Sequence, residues 1–170
     1  MDKWTQDFND AVVRLNSPYL RAIKPKIILM PAWWPVKADA WAYLNVVMIG
    51  PGILDAPNDV RRYVIGHELG HLYAKHTLLH LLYWFSAAGS IIGLLFPHLV
   101  LLAGTLSALV ISAFFVLFKP FIRHRELHAD AIAAQLYGRE IALAGCLWMA
   151  QRSGTLHDPF RQSRLRNLGL

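Results

Sequence analysis

Arg61-Arg62-Tyr63-Val64-Ile65-Gly66-His67-Glu68-Leu69-Gly70-His71 is the stretch on which the reading of this chain turns. It holds no proline and follows Pro57-Asn58-Asp59. Asn58 can cap free backbone amides, and Asp59 suits the positive end of a helix. The spacing therefore predicts a helix that begins there and runs on to His76. On such a helix His67 and His71 share one face, so both imidazoles can reach one ion. Glu68, next to the first histidine, can reach a water held by that ion. The pattern HExxH is that of a zinc site with a built-in general base.

A catalytic zinc takes three protein ligands and keeps one position open. One class extends the motif with a glycine and then a third histidine. Ala74 and Thr77 stand at those positions here, which excludes it. The other common solution is a carboxylate on a second helix. Arg125-Glu126-Leu127-His128-Ala129-Asp130 supplies one. Glu126 and Asp130 share a face, so Glu126 can bind the metal while Asp130 steadies a ligand imidazole or a substrate group. His76, His80, His98, His124 and His128 read as structural or interfacial residues.

Between these two helices, His76 to Phe118, lie 43 residues with no Asp, Glu, Lys or Arg. Pro97-His98 divides them. Each half is close to the roughly 20 residues that cross a bilayer as a helix. The expectation is a transmembrane hairpin of 78–96 and 99–118 inserted in one domain, 1–170. Gly89 and Gly93, with Ala103, Gly104, Ser107 and Ala108, would let two helices approach closely in lipid. Lys75 precedes the hairpin, Lys119, Arg123 and Arg125 follow it, and its turn has no Lys or Arg. The positive-inside rule then puts both termini and the active site in the cytoplasm, expected here at a bacterial inner membrane. Tyr83, Trp84, Phe85, Phe114, Phe115 and Phe118 fall at that same interface. His71 lies seven residues before Leu78, which at about 1.5 Å per residue puts the metal on the order of 10 Å from the membrane.

Upstream, Asp2 to Leu15 reads as an amphipathic helix with Trp4, Phe8, Val12 and Leu15 on its apolar face, broken by Ser17-Pro18. Lys26 to Met30 and Asn45 to Ile49 read as strands, and Ala40 to Leu44 as a third, edge strand. Downstream, helices are expected over Arg123 to Tyr137, ended by Gly138, and over Glu140 to Gln151. The tail, from Ser153 to Leu170, begins as a loop and ends basic. The fold class is α+β, with a small mixed or antiparallel sheet packed on the HExxH helix.

Composition narrows the partners. Hydrophobic residues make up 55% of the 170-residue chain and charged residues 16%, an apolar balance that points to a membrane. The net charge of +6 would suit an anionic lipid surface. No basic run or aromatic-basic motif supports nucleic acid. Cys146 is the single cysteine, so no intrachain disulfide forms, and it reads as a core residue. The first residues are polar and do not resemble a cleaved signal peptide.

The HELGH helix, the apolar hairpin and the RELHAD helix together resemble the integral-membrane gluzincin peptidases, which include the HtpX heat-shock proteases and the CAAX prenyl endopeptidases. The likeness runs from about Asn45 to Leu168. It implies a zincin-like metallopeptidase domain that binds one Zn2+ through His67, His71 and Glu126, with Glu68 as base. Asp130 would stand behind the ligands and is sometimes assigned as a proton donor. Asp39-Ala40-Trp41-Ala42 resembles the family's edge-strand signature, Asn-Ala-Phe, with Asp in place of Asn. The family's carbonyl-binding His-Pro pair and later Arg correspond to Asp158-Pro159 and Arg164, with Asp where His belongs and His157 one residue early. The implied activity is hydrolysis of peptide bonds in membrane or membrane-proximal proteins. Three alternatives share some of these features: a membrane sensor-transducer of metallopeptidase type, a binding protein that keeps the fold without cleaving, and a small membrane subunit without metal.

Overall fold

The computed structural model describes residues 2–33, 39–74 and 120–170. Helix α1, Lys3–Leu15, starts at Asp2, whose Oδ1 accepts from the Thr5 amide at 2.8 Å. Its buried face is Trp4, Phe8 and Ala11, with Val12 and Leu15 packed at the margin of the core. Ser17-Pro18 does more than end it. Ser17 caps a second helix, α2 (Pro18–Ile23), with proline at the first turn, where its missing N–H costs nothing.

Strands β1 (Lys26–Leu29), β2 (Ala40–Tyr43) and β3 (Val46–Ile49) form a mixed sheet in the order β1-β3-β2. β3 runs parallel to β1 and antiparallel to β2. Its alternate residues Val47 and Ile49 are fully buried, as the two-residue period of a strand with one covered face requires. β2 is an edge strand, as its sequence suggests.

A short 3-10 turn, Pro51–Ile53, leads to α3, Asn58–Tyr73. Pro57 holds the cap position and Asn58 is the first helical residue, with no side-chain cap bond. The expected Asn58 cap is therefore displaced by one residue, because proline is itself suited to a helix start. Asp59 does lie in the first turn. Every residue from Tyr63 to Leu72 is buried, so α3 is a central helix rather than an amphipathic surface one.

Residues 120–137 are helical (α4), followed by α5, Arg139–Arg152, and α6, Pro159–Leu168. Gly138, at φ 94°, ends α4 through a 2.9 Å amide bond to Ala134 O and at once caps α5. The tail does begin as a loop, residues 153–158, but its basic end is helical. Asp158 accepts from the amides of Phe160 and Arg161, both at 2.9 Å, and Pro159 starts α6, which buries Arg164, Leu165 and Leu168. Asp-Pro at a helix start is the signal that the run of basic residues obscured. Cys146 is in the core.

α1 braces the centre. The Trp4 indole donates to Leu54 O at 3.0 Å, Arg61 pairs with Asp7 at 2.6 Å, and Tyr137 donates to Asp7 O at 3.3 Å. The spans expected at 78–96 and 99–118 lie outside the described residues. Among the described residues no helix is long and apolar enough to cross a membrane.

Candidate metal centre

Two helices deliver the site, and glycines set how closely they pass. A Cβ at Gly70 would lie 2.8 Å from the Ala129 Cα, and one at Gly66 would lie 2.9 Å from the Ala133 Cα. Gly66 and Gly70 are one turn apart on α3, as Ala129 and Ala133 are on α4. These small residues let the two backbones touch. His67 and His71 follow each glycine by one position, and Glu126 and Asp130 lie beside the alanines. The crossing therefore carries all four side chains to one place.

There His67, His71 and Glu126 each offer a ligand atom, all within 4.8 Å of one another. His67 Nε2 is 3.3 Å from Glu126 Oε2, and His71 Nε2 is 3.4 Å from Glu126 Oε1. A tetrahedral ion about 2.1 Å from its ligands spaces them about 3.4 Å apart, so the donor set and its spacing fit such an ion. Beside them, Glu68 is buried and its Oε2 has no hydrogen-bond partner among the described residues. A buried, unsatisfied carboxylate oxygen is costly unless a site gives it work. Its place beside the ligands fits a water or a proton to be moved.

Behind the ligands stands a buried network. Asp130 is fully buried, and its Oδ1 lies 2.9 Å from His67 Nδ1. With the proton on Nδ1, His67 donates to this carboxylate and turns its Nε2 lone pair toward the ligand cluster. Arg164 donates from Nε to Asp130 Oδ2 at 2.7 Å and from Nη2 to Asp130 Oδ1 at 2.7 Å. Its Nη1 donates to Glu126 Oε2 at 3.0 Å. One guanidinium thus holds both the ligand carboxylate and the carboxylate that orients a ligand histidine. Tyr63 closes the network: its hydroxyl donates to Asp130 Oδ1 at 2.9 Å and accepts from Arg164 Nη2 at 2.9 Å.

The protonation of the metal-free site follows. Burial lowers the His67 pKa, but the hydrogen bonds to Asp130 and Glu126 outweigh it and raise it to about 9. Burial favours the neutral form of Glu126 and of Asp130. The bonds from His67 and His71, for Glu126, and from His67 and Arg164, for Asp130, prevail and hold both well below the carboxylate range. Burial raises Tyr63 well above its usual value, so its hydroxyl keeps its proton.

A cavity of about 320 Å³ opens onto the cluster. It is lined by Asp39 to Ala42, at the start of edge strand β2, by Met149 of α5 and by Arg161 and Arg164 of α6, besides residues of the two ligand helices. Of the residues singled out in the sequence, His67, Glu68, His71, Glu126, Asp130 and Arg164 are brought together. His157 is exposed, and Asp158 spends its carboxylate on the start of α6. His124 and His128 pair with each other, ring centroids 6.3 Å apart. Tyr63, Gly66, Gly70 and Gly145 were not singled out. Gly145 is as tight as any: a Cβ there would lie 2.3 Å from that of Tyr63. For three of them a signal was present: Tyr63 precedes His67 by one helical turn, and Gly66 and Gly70 flank the histidines.

A small mixed sheet on an HExxH helix, with a carboxylate brought by a second helix, defines a metallopeptidase domain. The chain belongs to peptidase family M48, whose family model matches residues 35–168. This agrees with the resemblance to the HtpX-like and CAAX-endopeptidase gluzincins. No curated protein and no solved structure was found to match the chain.

Proposed function

We propose that this protein is a zinc-dependent metalloendopeptidase that hydrolyses peptide bonds of membrane or membrane-proximal proteins at the cytoplasmic face of a membrane. The observation that carries the reading is the ligand triangle of His67, His71 and Glu126 with Glu68 Oε2, unpartnered among the described residues, beside it. Zinc, when bound, supplies a Lewis acid that polarises a carbonyl and makes water more acidic. Two imidazoles and one carboxylate leave the open position that such chemistry needs. Glu68 takes the proton of the attacking water and passes it to the leaving nitrogen. Asp130 keeps His67 in the tautomer that ligates. Arg164 Nη1 has one N–H beyond its bond to Glu126, and that N–H is available to a carbonyl oxygen of the substrate. An extended peptide adds to the free edge of β2 along the cavity wall, held by main-chain hydrogen bonds.

Membrane placement rests on the 43 uncharged residues between the ligand helices. Two crossings return the chain to the side it left, as a shared metal requires, and the Lys and Arg flanks favour the cytoplasm. The chemistry is tested with Glu68→Gln, which keeps the size and removes the base. Its zinc content should equal that of the wild type while cleavage of a casein-type substrate falls by orders of magnitude. Undiminished cleavage would show that another group activates the water.

A further inference from the structure

Among the described residues, most of the charges lining the cavity are matched. Glu126 sits between His67, His71 and Arg164, and Asp39 lies 3.6 Å from Arg152. Glu68 is assigned to water. Arg164 is bound to Asp130 and Glu126, and Arg125 Nη2 lies 3.7 Å from Glu126. Arg161 also lines the cavity. It is half-buried, and no carboxylate pairs with its guanidinium among the described residues. Asp158, three residues earlier, forms no ion pair with it; its Oδ1 accepts from the amides of Phe160 and of Arg161 itself, at 2.9 Å. The cap also fixes the first turn of α6, so the position from which Arg161 reaches is fixed.

Arg161 and Arg164 are three residues apart, on one face of α6. Side chains so spaced stand roughly 5–6 Å from each other at Cβ. Arg164 touches the ligand carboxylate; Arg161 is therefore within about two residues of an extended peptide from the bond to be cut, at about 3.3 Å per residue. A half-buried guanidinium in a walled cleft favours a carboxylate more than a surface one does, because less water competes.

The geometry points to Arg161 as a specificity residue: it receives a carboxylate of the peptide substrate within about two residues of the scissile bond. The substrate class is thus a peptide that presents an acidic side chain or its own terminal carboxylate beside the cleaved bond. This rests on the peptidase reading above, but binding can be read without cleavage.

The experiment uses the full chain with Glu68→Gln, loaded with zinc, and dye-labelled peptides. One pair, both amidated at the C-terminus, differs only in Glu against Gln, with that position stepped along the peptide. A second pair carries Gln throughout and differs in a free against an amidated C-terminus. At one position or terminus the carboxylate peptide should bind at least about tenfold tighter, and the difference should vanish in Arg161→Gln. Arg161→Glu should favour a Lys peptide instead, a reversal that loss of fold cannot produce. The first pair reports a side chain and the second a chain end. Equal binding of carboxylate and amide peptides, or a preference that survives in Arg161→Gln, would overturn the assignment. If the preference appears while the Glu68 protein cleaves no peptide, the carboxylate subsite stands and the peptidase reading falls.

Discussion

Gly70→Ala isolates what the helix crossing does. The new Cβ would lie 2.8 Å from the Ala129 Cα, 3.1 Å from the Ala129 carbonyl oxygen and 3.2 Å from the Ile132 Cβ. The first two are backbone atoms, so no side chain can turn aside. Carbon atoms pack at about 3.5 Å or more, so α3 and α4 must part by roughly 0.7 Å or more at this point. Overpacking of this kind costs about 1–3 kcal/mol. Alanine returns up to about 1 kcal/mol through its better helix propensity. The net expectation is a loss of about 1–2 kcal/mol. The functional loss is larger. The same movement would stretch the 3.3 and 3.4 Å spacings of Glu126 from the two histidines toward about 4 Å, beyond the edge of a tetrahedral ion. Zinc affinity, read by competition with a chromogenic chelator, should fall by about tenfold or more, together with the melting temperature. Gly70→Ala protein that melts no lower and binds zinc as the wild type does would refute the account of why the ligands meet.

Three further outcomes follow from the same geometry. Asp130→Asn removes the charge that orients His67 and leaves Arg164 buried with one carboxylate fewer; zinc affinity should drop about 10–100-fold and stability by about 3–5 kcal/mol, measured by chelator competition and denaturant melts. Tyr63→Phe deletes the hydroxyl shared by Asp130 and Arg164 and should cost about 1–3 kcal/mol of stability, with a smaller loss of zinc affinity than Asp130→Asn. In the metal-free protein His67 titrates at about 9 rather than 6.5, so its proton stabilises the fold. That contribution is complete below pH 6.5 and is lost as pH rises through 9, with a slope of up to about 1.4 kcal/mol per pH unit. Denaturant melts of the metal-free protein across this range check the sign.

How far the sequence alone reaches differs from element to element. HExxH could be read as a helix because its two histidines acquire a purpose only at helical spacing, and Glu126 and Asp130 could be read on the same ground. The three strands were legible from β-branched runs closed by proline and glycine. The helix α6 was not, because an Asp-Pro start was outweighed by a tail rich in charge, and its buried face is carried by Arg164 as much as by Leu165 and Leu168. A buried arginine has no apolar signature; its place depends on two carboxylates 34 and 38 residues earlier in the chain. Arg164 was found by its likeness to a family pattern, and its ion pairs only by the fold. The contact of Tyr63 with Gly145 was missed for a related reason. It joins residues on different helices, and no periodicity within either helix marks it.

The central claim is that His67, His71 and Glu126 hold one metal ion in which Glu126 is an obligatory third ligand. It is tested most directly by metal analysis of the purified chain beside Glu126→Ala after equal exposure to zinc and desalting. The account predicts one zinc per chain in the wild type and little retained in Glu126→Ala, where only two protein donors remain. Full zinc occupancy in Glu126→Ala, or none in the wild type, would contradict it.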